Sequence, residues 1–164
     1  MKPKDVSLIL SALQSKIKSN KGLAVFADKD AKFENWLQVE LCGILFDKLK
    51  KKIIPEQYSK VNNCAYDIFG EELVIELKIL ATRSKSFSQN IIGIKKDIEK
   101  LKRTSVSKKK VVIFIAFPLD DKWESKLEAM VPKTEFIHYY RSFKFKDIDK
   151  GGVVYFVELK QAVA

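Results

Sequence analysis

The stretch Tyr66-Asp67-Ile68-Phe69-Gly70-Glu71-Glu72-Leu73-Val74-Ile75-Glu76-Leu77-Lys78 holds two acids and a base whose types and spacing suit phosphoryl-transfer chemistry. Glu76 and Lys78 are two residues apart among apolar neighbours, so on a strand they share one face. A two-residue hairpin loop at Gly70-Glu71 would set Asp67 opposite Val74, one diagonal step from Glu76 on that face. Two carboxylates a few ångströms apart suit Mg²⁺ or Mn²⁺, with water completing the octahedron. Asp67 and Glu76 would then be the metal ligands. The ion would polarise a phosphodiester and acidify a water, while Lys78 would orient that water and stabilise the developing charge. The alternative reading of the same three residues is a cross-strand salt bridge on a solvated sheet face.

Such a hairpin needs elements to hold it. Apolar positions Ile9, Leu10, Leu13 and Ile17 predict a helix over about 5–19. A loop containing Gly22 follows, and Asp28 or Asp30 can cap a second helix running to about 52. Phe33, Trp36, Leu37, Leu41, Ile44 and Leu45 form its apolar stripe, and Pro55 stops any continuation. Strands are expected near 57–61, 65–69 and 73–79. A helix over 88–103 carries Ile91, Ile94, Ile98 and Leu101 at helical spacing. The continuous apolar run 111–117 reads as a central strand covered on both faces. A helix over 121–130 and strands over 136–145 and 153–160 close the chain, which gives one mixed α/β domain over 1–164 with a central sheet flanked by helices.

Asp67, eight intervening residues, then Glu76-Leu77-Lys78 on an apolar hairpin strand resembles the PD-(D/E)XK signature of restriction-endonuclease-like nucleases. The αβββαβ order expected over 30–117 is similar to that family's core, with the helix 5–19 before it and an αββ extension after it. Tyr66 stands where the family's signature begins with Pro. The resemblance implies a Mg²⁺- or Mn²⁺-dependent deoxyribonuclease in which Asp67 and Glu76 hold metal and Lys78 serves the attacking water. It further implies an acid from the first core helix, for which Glu34 and Glu40 are both candidates. At 100° per residue each points toward the sheet side of that helix, and the choice stays open. Gln89 matches a position where related nucleases place a polar residue near the metal. Asp149, eight residues, then Glu158-Leu159-Lys160 repeats the spacing, but the αβββαβ order is not completed after it, so these read as residues of a terminal strand.

The net charge of +10 makes nucleic acid the first partner to consider. Arg83, Lys85, Lys95, Lys96, Lys108, Lys109 and Lys110 lie on the segments after the proposed active strand, where they could track a phosphate backbone; a solvated lysine face is the ordinary alternative. Two cysteines, Cys42 and Cys64, make no disulfide framework, and reduced thiols suggest a cytoplasmic protein. With one histidine, Cys/His zinc clusters and HExxH proteases are excluded. The apolar segment 6–13 is short and follows Asp5, so it reads as helix rather than signal peptide, and nothing approaches a membrane span. DNA is the expected substrate. A homodimer, or a protein partner that supplies specificity, would suit a chain too small for a separate specificity domain. The rival from another class is a nucleic-acid-binding or assembly protein that keeps this scaffold without turnover.

Overall fold

Val111 through Phe117 leave no polar side chain for solvent, so this segment has to be covered on both faces. The computed structural model describes residues 1–29, 31, 33–59, 63–82, 87–104, 108–118 and 123–160. In it the run forms most of strand β4 (Lys109–Phe117), buried from Val111 onward. β4 lies between β3 (Leu73–Ala81), to which it is parallel, and β6 (Gly151–Leu159), to which it is antiparallel. Outside these lie β2 (Cys64–Gly70) and β1 (Ile53–Ser59) on one side and β5 (Phe136–Lys144) on the other. The sheet order is β1-β2-β3-β4-β6-β5.

A parallel pair needs a crossover, and helix α4 (Phe87–Arg103) makes it from β3 to β4. Its Ile94, Ile98 and Leu101 pack on Val74, Leu80, Val112 and Phe114, the even-numbered face of these two strands. The odd-numbered face, with Ile75, Leu77, Ile79, Ile113 and Ile115, is covered by α1 (Pro3–Ser19), α2 (Lys21–Asp28) and α3 (Glu34–Gly43). α5 (Trp123–Met130) adjoins α4. The result is a single α/β domain with a mixed six-stranded sheet between helices. No helix among the described residues is long and apolar enough to cross a membrane, and Cys42 and Cys64 are free thiols.

Three expectations are corrected. The helix expected from Asp28 or Asp30 to 52 starts only at Glu34, and the stretch read as a loop before it is a helix of its own, α2, capped by Asn20 Oδ1, which accepts the Leu23 N–H at 3.1 Å. Leu23 and Ala27 of α2 and Leu37 and Leu41 of α3 bury into one core from different axes, which one straight helix cannot arrange. α3 itself gives way to a π-helical turn, Ile44–Lys48. Second, the first strand begins at Ile53 and contains Pro55, which an edge strand tolerates because one side needs no ladder donor. Third, the hairpin loop is Glu71-Glu72. Gly70 stays in β2, paired with Ile53, and its carbonyl accepts from Lys108 Nζ at 2.6 Å. The ladder therefore pairs Phe69, not Asp67, with Val74.

Candidate active site

The β2–β3 ladder consists of Ile68 with Ile75 and Phe69 with Val74, whereas β2 pairs with β1 as far as Cys64 with Ser59. Continuing the β2–β3 register would set Asp67 against Glu76. The strands separate there instead, and side chains take the place of the ladder. The Leu77 N–H donates to Asp67 Oδ2 at 2.6 Å. The next N–H on that edge, from Ile79, donates to Glu34 Oε1 at 3.0 Å. Gln38 Nε2, one helical turn beyond Glu34, donates to the Asp67 carbonyl at 2.7 Å. Backbone donors inside a domain have to be satisfied, so these carboxylates are what permits the gap. β1 kinks at the same level: Glu56, which faces Asp67 in the register, has φ 51°, and this pair alone is missing from an otherwise continuous ladder.

Glu76 and Lys78 project from β3 under α4, against Lys100 and Asp97. Glu76 is 2% exposed. Its Oε1 lies 2.5 Å from Lys100 Nζ, and Lys78 Nζ lies 3.3 Å from Asp97 Oδ2. Lys100 also approaches Asp97 Oδ1 at 3.9 Å, donates to the Ala65 carbonyl at 2.9 Å, and stands 5.6 Å from the Tyr66 ring centroid. The expected alternative, a salt bridge across strands on a solvated face, is replaced by ion pairs between strand and helix beneath cover. The Lys78 stem passes Gly93, where a Cβ would be in ordinary contact with Lys78 Cε at 3.5 Å.

Glu76 and Asp97 thus pair with the Lys100 and Lys78 ammoniums, and Glu34 and Asp67 stand near enough to act on Lys78 electrostatically. Burial pushes the Glu76 carboxyl up to about 8, against the pull of Lys100, with Asp67 and Asp97 adding to the rise. Burial also raises Asp97, opposed by Lys78 and Lys100. For Lys78 burial acts downward, but Asp97, Glu34 and Asp67 together hold the ammonium above its ordinary value. Glu76 Oε1 and Asp97 Oδ2 are buried, with lysine at ion-pair distance but no aligned hydrogen-bond donor. No three His, Cys, Asp or Glu side chains stand at metal-binding spacing among the described residues.

Of the other sequence candidates, Glu40 turns away to α1, where Lys16 Nζ lies 2.5 Å from its Oε2. Gln89 is exposed in the first turn of α4. Lys95 and Lys96 are exposed and, with Lys100 and Arg103, line an open cleft of about 640 Å³ that reaches the cluster through Lys100. Lys108, Lys109 and Lys110 are tied to the protein itself. Lys108 bonds the Gly70 and Glu71 carbonyls, Lys109 pairs with Glu158 at 2.7 Å, and Lys110 bonds the Thr104 carbonyl at 2.6 Å. Arg83 and Lys85 lie outside the described residues. Asp149, of the repeated spacing, is exposed and paired with Lys144 at 2.7 Å, far in the sheet order from the cluster.

Asp97 and Lys100 were not expected at the Glu76 and Lys78 cluster. Their signal was periodic: with Gly93 they follow one border of the Ile94, Ile98 and Leu101 stripe, so the polar edge of α4 falls over the polar residues of β3. Among known proteins, no family model, curated protein or solved structure matches the chain.

Proposed function

We propose that this chain is a cytoplasmic, divalent-metal-dependent nuclease of restriction-endonuclease-like architecture that hydrolyses DNA phosphodiester bonds. The observation that carries the reading is the placement of Asp67 and Glu34, from two different elements, on the Leu77 and Ile79 N–H groups along one edge of the strand that bears Glu76 and Lys78. Holding a salt bridge does not require separating two strands and filling the gap with acids; assembling a carboxylate site does.

Asp67 and Glu76 are the residues that would hold Mg²⁺ or Mn²⁺, with Asp97 Oδ2 as a further buried oxygen within the cluster. Such an ion supplies Lewis-acid polarisation of the phosphate and acidification of water. The protein's own contribution follows from its contacts. The Leu77 and Ile79 N–H groups fix the Asp67 and Glu34 carboxylates before substrate arrives, so little reorganisation is needed during reaction. Lys78 is held as an ammonium by three acids, which suits it to orient a water and to stabilise charge on the phosphorane rather than to accept a proton. Lys95, Lys96 and Arg103 line the path by which a phosphate backbone would approach. A second copy or a protein partner would supply specificity.

A second reading has its own support. Lys100 with Glu76 and Lys78 with Asp97 form a closed set of ion pairs, as a scaffold that binds nucleic acid without cutting it would keep. Incubating the protein with plasmid, linear, single-stranded and junction DNA, with Mg²⁺ or with EDTA, separates the two. Cleavage that EDTA abolishes supports the nuclease; metal-independent binding with every substrate intact supports the scaffold.

A further inference from the structure

A cleft of about 530 Å³ is lined by residues of α2 and of the start of α3, Glu34 among them. Phe26, Phe33 and Trp36 line it together with Glu34 and Asn35. Phe26 is 51% exposed. Trp36 is half-buried and meets the Phe33 ring edge-on at 6.0 Å, and Phe33 stacks on Phe117 beneath it. The aromatic surface is thus anchored in the core at one end and open at the other. Lys21, exposed and with no acid paired to it among the described residues, lies between Asn20 and Gly22 of the lining. Asn35, also exposed, brings an amide to the rim.

We infer that this cleft binds an unpaired nucleobase of single-stranded DNA next to the carboxylate cluster. Each observation points to the same occupant. The open Phe26 face stacks bases of any identity, the adjoining Lys21 ammonium meets a neighbouring phosphate, and the amide reaches a base edge. Continuity with the cluster is direct, because Glu34 both lines the cleft and holds the Ile79 N–H. A base paired within a duplex has neither face free, so the cleft discriminates between strand states. The choice of DNA as ligand rests on the nuclease reading; the cleft's preference for an unpaired base does not require turnover.

The chain has two tryptophans, so Trp123→Phe leaves Trp36 as the sole indole reporter. This variant is titrated in EDTA with an oligothymidylate and with a duplex of equal length. The expected result is saturable quenching of Trp36 by the single strand and not by the duplex. Adding Phe26→Ala should weaken single-strand binding by about 5- to 150-fold, the range for loss of one stacking partner, and so collapse the preference over duplex. Phe26→Leu keeps apolar bulk on α2 without the aromatic face and should give the same loss, so a folding defect in the alanine variant does not blunt the test. Unmoved Trp36 emission with the strand bound, or single-strand affinity indifferent to Phe26→Leu, overturns the inference. A parallel Mg²⁺ assay of the unmodified protein keeps the two readings apart: quenching without cleavage rejects the nuclease and retains the cleft, and cleavage without quenching does the reverse.

Discussion

Lys100 Nζ, on α4, lies 2.5 Å from Glu76 Oε1, on β3, so the most buried carboxylate of the cluster is neutralised by a helix that also forms its roof. Even so, burial outweighs that pairing, and the carboxyl titrates near 8 instead of 4.5. Between those values the unfolded chain has released a proton that the folded chain keeps. Stability in EDTA therefore falls as pH rises through this window, and the raised Asp97 adds to the fall. Glu76→Gln removes the larger share. Urea midpoints taken from about pH 5 to 8 should decline less steeply in the variant than in the wild type. Parallel declines would mean that Glu76 titrates as an ordinary carboxyl.

Glu34 and Glu40 part in their consequences as they part in space. Glu34→Gln can still accept the Ile79 N–H through its amide oxygen, so the fold should survive while the charge is lost, and cleavage should drop by about 10² or more. Glu40→Gln removes only the pairing with Lys16, a partly exposed contact worth at most ~1 kcal/mol, and should leave the rate alone. Cleavage rates of the two purified variants check this directly. The reverse order would exchange their roles.

What the sequence made legible, and what it did not, divides along the distance between cooperating residues. Glu76 and Lys78 share a face because a strand has period two, and the β4 run announces its own burial. Asp67 was legible as a neighbour of Glu76, but the register depended on whether Gly70 or Glu72 belongs to the turn, which Lys108 and the pairing with Ile53 decide from outside the hairpin. The choice of Glu34 over Glu40 depends on α1, whose Lys16 claims the latter. Asp97 and Lys100 came into the site through the crossover geometry of α4, about twenty residues downstream, where only the border of an apolar stripe marked them.

The basic residues also separate into two groups. Lys95→Gln with Lys96→Gln should lower the slope of log affinity for duplex DNA against log salt by about 0.9 for each phosphate the variant no longer neutralises. Both side chains are exposed on the cleft. Lys108→Gln and Lys110→Gln should instead lower the unfolding midpoint, because their ammoniums satisfy backbone carbonyls at Gly70, Glu71 and Thr104, and should leave the salt slope nearly unchanged. Binding titrations over a salt series, paired with urea unfolding, distinguish the groups. A slope that responds equally to both pairs would contradict this division.

Lys78 carries the central claim most directly, because its stem lies over Gly93 and its ammonium is held among Asp97, Glu34 and Asp67 without contributing to the ladder. Lys78→Met keeps most of that stem and removes the charge. The decisive measurement is the single-turnover rate of DNA cleavage in Mg²⁺ for wild type and Lys78→Met, with DNA affinity of both measured in Ca²⁺. The account predicts similar affinity and a loss of rate on the order of 10²–10⁴ in the variant, the scale for one positioned charge-stabilising group. Equal rates, or a wild type that binds DNA and leaves it uncut in Mg²⁺, would contradict it.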